Sequence, residues 1–329
     1  MRPPSDETRP YYWRVFLLLA VGMFTAPIAQ YFSISRLAEE TTTTNPPPNF
    51  LHLALAEKQQ RHIHLGSDVI LITPLGNTTW NDEGVHGLKC SMTYRGHNPE
   101  HLIRAHFDDS EGFDGLDVKK IITVSNTVQE LSLKWPATTL IVVVDAFDVV
   151  IQGKPEEIID AYNSQPYPIL FGSETSCWNP LTRTTASNVS TPLCAQPDLQ
   201  RGILDGRYLN SGVFMSTLGT LVRFFAYVLH ELPTENDGLA PLERHPGHFN
   251  DQAYWGYWYT KYHPLIGLEV SDKFMVNVDR RLKKKFHFDN STGSMVLQGE
   301  VPPIMHFPGS PPKMFKPYVE AKQFFAELC

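Results

Sequence analysis

Apolar residues in this chain gather in short dense runs separated by polar stretches, and the runs differ in kind. Asp68-Val69-Ile70-Leu71-Ile72-Thr73-Pro74 and Thr139-Leu140-Ile141-Val142-Val143-Val144-Asp145 are continuous, β-branched and too short for helices, which predicts strands buried on both faces. Pro168-Ile169-Leu170-Phe171-Gly172 predicts a further strand. Between them lie segments with helical punctuation. Lys119 to Ser132 reads as a helix, and Lys154 to Tyr162 places Pro155 near the first helical position with Glu156 and Glu157 in the first turn. Further on, Arg207 to Met215 reads as a strand interrupted at Asn210-Ser211-Gly212. Leu218 to Leu232 reads as an apolar helix, and Asn250-Asp251-Gln252 as the start of an aromatic-rich one. Strand and helix in alternation predict an α/β fold with a mostly parallel sheet flanked by helices.

The run that ends at Val144 is followed by Asp145-Ala146-Phe147-Asp148, two carboxylates spaced i, i+3. Open α/β sheets bind ligands beyond the carboxyl ends of their strands, so the pair sits where chemistry is expected. Two readings stand side by side. The carboxylates supply oxygen ligands to a hard divalent cation that also carries phosphate, or they cap the element that follows.

Composition narrows the class. Hydrophobic residues are 42% of 329 positions, enough for a sizeable core. A net charge of -7 and a pI near 6.0 give no electrostatic case for a nucleic-acid partner. Residues 15–32 form an apolar, charge-free stretch of about bilayer-spanning length, with Arg2, Arg9 and Arg14 before it and Arg36 after it. The positive-inside rule then predicts a cytosolic tail over 1–14, a transmembrane signal-anchor over 15–32 and a type II topology; a cleaved signal peptide is the alternative, disfavoured by Pro27. The Thr- and Pro-rich composition within 33–67 suits a stem, which leaves 68–329 as one luminal domain. Asn77, Asn188 and Asn290 head glycosylation sequons there. The four cysteines, Cys90, Cys177, Cys194 and Cys329, lack metal-site spacing. Cys177 and Cys194 bracket a polar loop and are expected to pair in an oxidising lumen, the alternative being two unrelated thiols.

Five segments now combine: Asp145-Ala146-Phe147-Asp148; Phe171-Gly172-Ser173-Glu174 running to Cys177-Trp178-Asn179-Pro180; Tyr208-Leu209-Asn210-Ser211-Gly212; Asn250-Asp251-Gln252; and His306-Phe307-Pro308-Gly309 with Lys313. In order and spacing they resemble the glycosyltransferase domain of the procollagen lysyl hydroxylases (PLOD), and more distantly the collagen galactosyltransferases, over about Asp68 to Lys313. The resemblance implies a GT-A (Rossmann-like) fold. It implies transfer of a hexose, galactose or glucose, from a UDP-sugar to a hydroxyl of a protein or glycan acceptor, with retention at the anomeric carbon. Mn²⁺ (or Mg²⁺) would assist, and the setting would be the Golgi or endoplasmic reticulum membrane. No segment matches that family's iron-dependent hydroxylase domain, so lysyl hydroxylation is not expected.

Residue by residue, the resemblance makes Asp145, Asp148 and His306 metal ligands. It places Thr73 at the end of the first strand near the uridine, Lys119 or Lys120 against phosphate, and Trp178 beside the sugar. Gly309 and Lys313 fall in a phosphate-facing loop, and Asn210 and Asp251 serve sugar contacts and reaction geometry. Each has a plainer reading: a solvated lysine, a tryptophan packed over a disulfide, a turn asparagine, a helix-capping aspartate. The chain departs from the family at Asn250, where an aspartate is frequent, at Pro308, where asparagine is expected, and by an extra residue between Gly309 and Lys313. Two other classes compete. One is a GT-A enzyme of another family in glycan or cell-wall polysaccharide synthesis, and the other is an inactive sugar-binding protein of the same fold. The basic run Arg280 to Lys285 reads as a solvated face.

Overall fold

The computed structural model describes residues 54–56, 58, 68–76, 82–107, 116–175, 208–229, 232, 251–278, 285–308 and 316–329. In chain order the elements are β1 (Val69–Gly76), α1 (Asp82–Tyr94), β2 (Leu102–Phe107), α2 (Leu116–Ser132), β3 (Leu140–Val144), β4 (Val149–Ile151), α3 (Pro155–Asn163), β5 (Ile169–Glu174), β6 (Tyr208–Thr217), α4 (Leu218–Val228), α5 (Asp251–Tyr262), β7 (Ile266–Glu269), β8 (Met275–Asn277), β9 (Phe286–Asp289), β10 (Ser294–Leu297), β11 (Ile304–His306) and α6 (Lys316–Leu328).

The continuous apolar runs become the middle of a six-stranded sheet of order β2-β1-β3-β6-β5-β7. The pairs β1/β2, β1/β3 and β5/β7 are parallel, and β6 alone runs against its neighbours β3 and β5. Because side chains alternate across a strand, an all-apolar strand needs cover on both faces. Ile141 and Val143 of β3 meet Val124 and Val128 of α2 and Phe224 of α4, with Trp255 and Trp258 of α5 in the same cluster. Leu140, Val142 and Val144 turn the other way, towards Leu88 and Met92 of α1 and Ile158 and Tyr162 of α3.

A second sheet decides where the far end of the chain goes. Its three strands are ordered β4-β11-β8, with β4 antiparallel and β8 parallel to β11. The register sets His306 opposite both Val149 and Asn277. Phe286, Phe288, Met305 and Phe307, together with Tyr318 and Phe325 of α6, form a third core cluster beside this sheet.

Several expectations change here. β1 extends to Gly76, so Thr73 lies within the strand and not at its end. Past Ile72 this strand pairs with β2 alone, which is where a strand accommodates Pro74. β6 is continuous through Asn210-Ser211-Gly212. Phe171 pairs with Phe214 but Gly172 pairs with Asn210, so the glycine marks a bulge against β5 rather than a break. The described disulfide joins Cys90 and Cys329, fastening α1 to the end of α6, while Cys177 and Cys194 lie outside the described residues. Among the described residues no helix is long and apolar enough to cross a membrane, and 15–32 lies outside them.

Candidate active site

After Val144 the chain leaves the large sheet by one last bond, Asp145 N–H to the carbonyl of Gly212 at 2.8 Å. Residues 145–148 then turn directly into β4, with no helix for the aspartates to cap. The Phe307 N–H donates to the carbonyl of Asp148 at 2.9 Å, so the turn is held by β6 at one end and the β11 segment at the other. His306 closes β11 at this junction. One ligand atom each from Asp145, Asp148 and His306 lie within 4.8 Å of one another.

The imidazole is oriented by a relay. Asn277 donates its Nδ2 to the carbonyl of Ser173 at 2.8 Å, which turns its Oδ1 towards His306 Nδ1, 2.7 Å away. Nδ1 is therefore the protonated donor in this pair. Nε2 faces the carboxylates, 3.5 Å from Asp148 Oδ1 and 3.9 Å from Asp145 Oδ2, and has no hydrogen-bond partner although His306 is 2% exposed. A buried ring nitrogen that faces two carboxylates, with the other nitrogen fixed by an amide, is a donor set that could hold a divalent metal ion. Burial alone would lower the His306 pKa, but Asp148 and Asp145 outweigh it and hold the ring above its usual value. Metal binding would displace that extra proton.

Gly212 keeps the centre open. A Cβ there would stand 2.2 Å from His306 Cε1 and 2.7 Å from Asp145 Oδ2, closer than atoms pack. Across the site, the Lys120 ammonium lies 2.8 Å from Asp145 Oδ1 and 2.9 Å from Asp251 Oδ2. Burial pulls its pKa down, yet the two carboxylates raise it well above the ordinary lysine value, so it stays charged. Burial pushes the Asp145 carboxyl up, Lys120 pulls it down, and Asp148 adds to the upward push. Of the two lysines considered from sequence, Lys120 is the one brought to these carboxylates, and it draws Asp251, the first residue of α5, into the same cluster.

Next to it lies a polar network. Glu174, 7% exposed, accepts from Gln252 Nε2 at 2.6 Å and from Asn210 Nδ2 at 3.3 Å. Asn210 Oδ1 also accepts from the N–H of Gly212 at 2.9 Å, so both ends of this amide are engaged in holding the bulge. Thr73 is fully buried between Leu71 and Leu75, and its hydroxyl has no hydrogen-bond partner. Trp178, Gly309 and Lys313 lie outside the described residues.

Residues 118–237 match the family described as the PLOD GT domain. This stretch is a PLOD-family glycosyltransferase domain. No curated protein matches the chain. Among solved structures, mouse xyloside xylosyltransferase 1 in its apo form overlaps with a TM-score of 0.43 at 13% identity, over 74% of this chain and 98% of that one. A glycosyltransferase involved in the glycosylation of the major capsid of PBCV-1 overlaps with a TM-score of 0.42 at 12% identity, over 79% of this chain and 99% of that one. These overlaps are too loose to bear on the chemistry.

The PLOD-type match contains Lys120, Asp145, Asp148, Trp178 and Asn210, whereas Asp251, Asn277 and His306 lie beyond it. Strand pairing brings those outer residues in. Asn277 was not foreseen from sequence, nor were the roles of Glu174 and Gln252. The signal for Asn277 was faint: Met275-Val276-Asn277 and Ile304-Met305-His306 are both apolar pairs ending in a polar residue, and they pair in that register.

Proposed function

We propose that this glycosyltransferase has a GT-A fold, depends on a divalent cation, Mn²⁺ or Mg²⁺, and moves a galactose or glucose from a UDP-sugar to a hydroxyl of a protein or glycan acceptor, with retention at the anomeric carbon. The observation that carries the reading is the convergence of Asp145, Asp148 and His306, with Nε2 of the histidine buried between the carboxylates and without a hydrogen bond. Two carboxylates and an imidazole suit Mn²⁺, which when bound offsets charge on the departing diphosphate.

The remaining residues bind and orient. Lys120 is a fixed point charge that meets phosphate oxygens at the edge of the metal site. Asp251, held by Lys120, orients the acceptor or stabilises positive charge at the anomeric carbon. Glu174, Gln252 and Asn210 fix the bulge at Gly212, which keeps the space beside His306 clear. A luminal, type II setting in the Golgi or endoplasmic reticulum, anchored by residues 15–32, agrees with the Cys90–Cys329 disulfide, since such bonds persist in oxidising compartments. Exposed Asn290 stands in the turn between β9 and β10, accessible to glycosylation.

Calorimetry of UDP binding with and without Mn²⁺, on the wild type and on Asp145→Ala and His306→Ala, tests the reading. Metal-dependent binding lost in both variants is expected. A wild type that binds UDP equally well in chelator overturns the metal-dependent mechanism.

A further inference from the structure

Residues 145–148 carry two of the three candidate ligands yet belong to no helix or strand, so something must fix their conformation. The ends are held by Gly212 and Phe307, as described. The middle is held from elsewhere: the carbonyl oxygen of Phe147 accepts from the Tyr318 hydroxyl and from Lys322 Nζ at 2.9 Å, both on α6. Two donors on one carbonyl occupy both of its acceptor positions. Their i, i+4 spacing puts them on one face of the helix. Tyr318 is 1% exposed and packs against Phe307, ring centroids 4.6 Å apart, and the Lys322 ammonium lies 4.9 Å from the Tyr318 ring centroid. One aromatic contact thus joins α6 to the residue following His306.

The helix is itself held at its far end. Tyr318, Ala321 and Phe325 face the third core cluster, and Cys329 beyond them is bonded to the buried Cys90 of α1. Phe324 adds ring contacts to Phe288 and Tyr94 on the same side, and Lys322 places its ammonium on a backbone carbonyl between the two candidate ligand aspartates.

Resting on the metal-site reading above, we propose that Tyr318 and Lys322 are positioning residues for the cation site, that they act through the Phe147 carbonyl, and that the Cys90–Cys329 bond keeps their helix in place. They set the spacing of Asp145 and Asp148 without touching the cation. Groups that orient metal ligands typically change metal affinity by about 10-fold to 100-fold when removed.

The full chain is titrated with Mn²⁺ alone, following the spectroscopic signal of the free aqua ion by electron paramagnetic resonance, and then with Mn²⁺ and UDP by calorimetry. Tyr318→Phe with Lys322→Met is expected to weaken Mn²⁺ binding by about 10-fold or more, with the cooperative thermal transition retained. Lys322→Arg, which keeps a donor, is expected to recover most of the affinity. Cys90→Ser with Cys329→Ser is expected to shift Mn²⁺ affinity in the same direction. Wild-type Mn²⁺ affinity in the Tyr318/Lys322 variant, with only a lower thermal midpoint, overturns the proposal and leaves α6 as packing. A wild type that binds Mn²⁺ but not UDP overturns the sugar-nucleotide reading while the variants are still compared on Mn²⁺ alone. A wild type that binds no Mn²⁺ overturns both.

Discussion

Gly212→Ala is the sharpest perturbation of the site because one added carbon strikes two candidate ligands. The new Cβ would sit 2.2 Å from His306 Cε1, 2.6 Å from Nε2 and 2.7 Å from Asp145 Oδ2. Carbon contacts are comfortable at about 3.5 to 4.0 Å, so the imidazole would have to retreat by more than about 1 Å. It has nowhere easy to go, since His306 is 2% exposed and its Nδ1 is bonded to Asn277 at 2.7 Å. Overpacking of this kind costs about 1 to 3 kcal/mol, and breaking the Asn277 bond about 1 kcal/mol more. A shift of about 1 Å in a ligand also costs function out of proportion to stability, on the order of 100-fold. The expected result is a weakening of Mn²⁺-dependent UDP binding by about 10-fold to 100-fold, or about 1.4 to 2.7 kcal/mol, measured by calorimetry. The thermal midpoint should fall by about 4 to 16 °C, at about 2 to 4 °C per kcal/mol for a domain of this size. Because no left-handed backbone angle is involved at this glycine, strain of the main chain is not a competing cause. Wild-type metal-dependent binding in Gly212→Ala would refute the reasoning, for it would mean that the space between His306 and Asp145 is not where the cation goes.

Three further outcomes follow from the same structure. Asn277→Ala frees His306 Nδ1 and the Ser173 carbonyl, and calorimetry should show Mn²⁺ affinity reduced by about 10-fold or more; an unchanged value would remove Asn277 from the site. Lys120→Met leaves Asp145 and Asp251 without their shared cation. Its cost should be about 3 kcal/mol in denaturant unfolding, at the low end for a broken buried pair because Asp145 is 34% exposed, and Mn²⁺ should recover part of it; a loss unaffected by Mn²⁺ would separate Lys120 from the metal site. Glu269 is fully buried at the end of β7, and burial, against hydrogen bonds from Ser271 and Asp272, pushes its pKa up from 4.5 to about 7. The folded state holds this proton after the unfolded chain has lost it, so its contribution is full below pH 4.5 and declines as pH rises to about 7. That amounts to a loss on the order of 3 kcal/mol between those limits, which Glu269→Gln should flatten in urea unfolding at pH 5 and pH 8; equal pH dependence in both proteins would refute it.

Local pattern along the chain was enough for the class of fold and for one half of the candidate site. Leu140 to Val144 reads as a strand covered on both faces because the run is short, β-branched and apolar at every position, so each side of the pleat carries apolar side chains. Local punctuation likewise gave α3, where Pro155 opens the helix and Glu157 accepts from the N–H of Lys154 at 2.8 Å. The two carboxylates were legible because they interrupt that pattern at the strand's end. What their neighbours would be was not legible, since nothing in a local pattern fixes which distant strands pair.

Tertiary structure decided the rest. The β4-β11-β8 register set His306 between Asp148 and Asn277, and the bulge in β6 put Gly212 where a side chain would fill the site. Charge pairing drew Lys120 and Asp251 together from the starts of two helices, and the Cys90–Cys329 bond spans a separation of 239 residues that no spacing rule foretells. Periodicity is local and can be read along the chain. Register and close approach depend on how separate elements stack, and that is settled only when the whole core is packed.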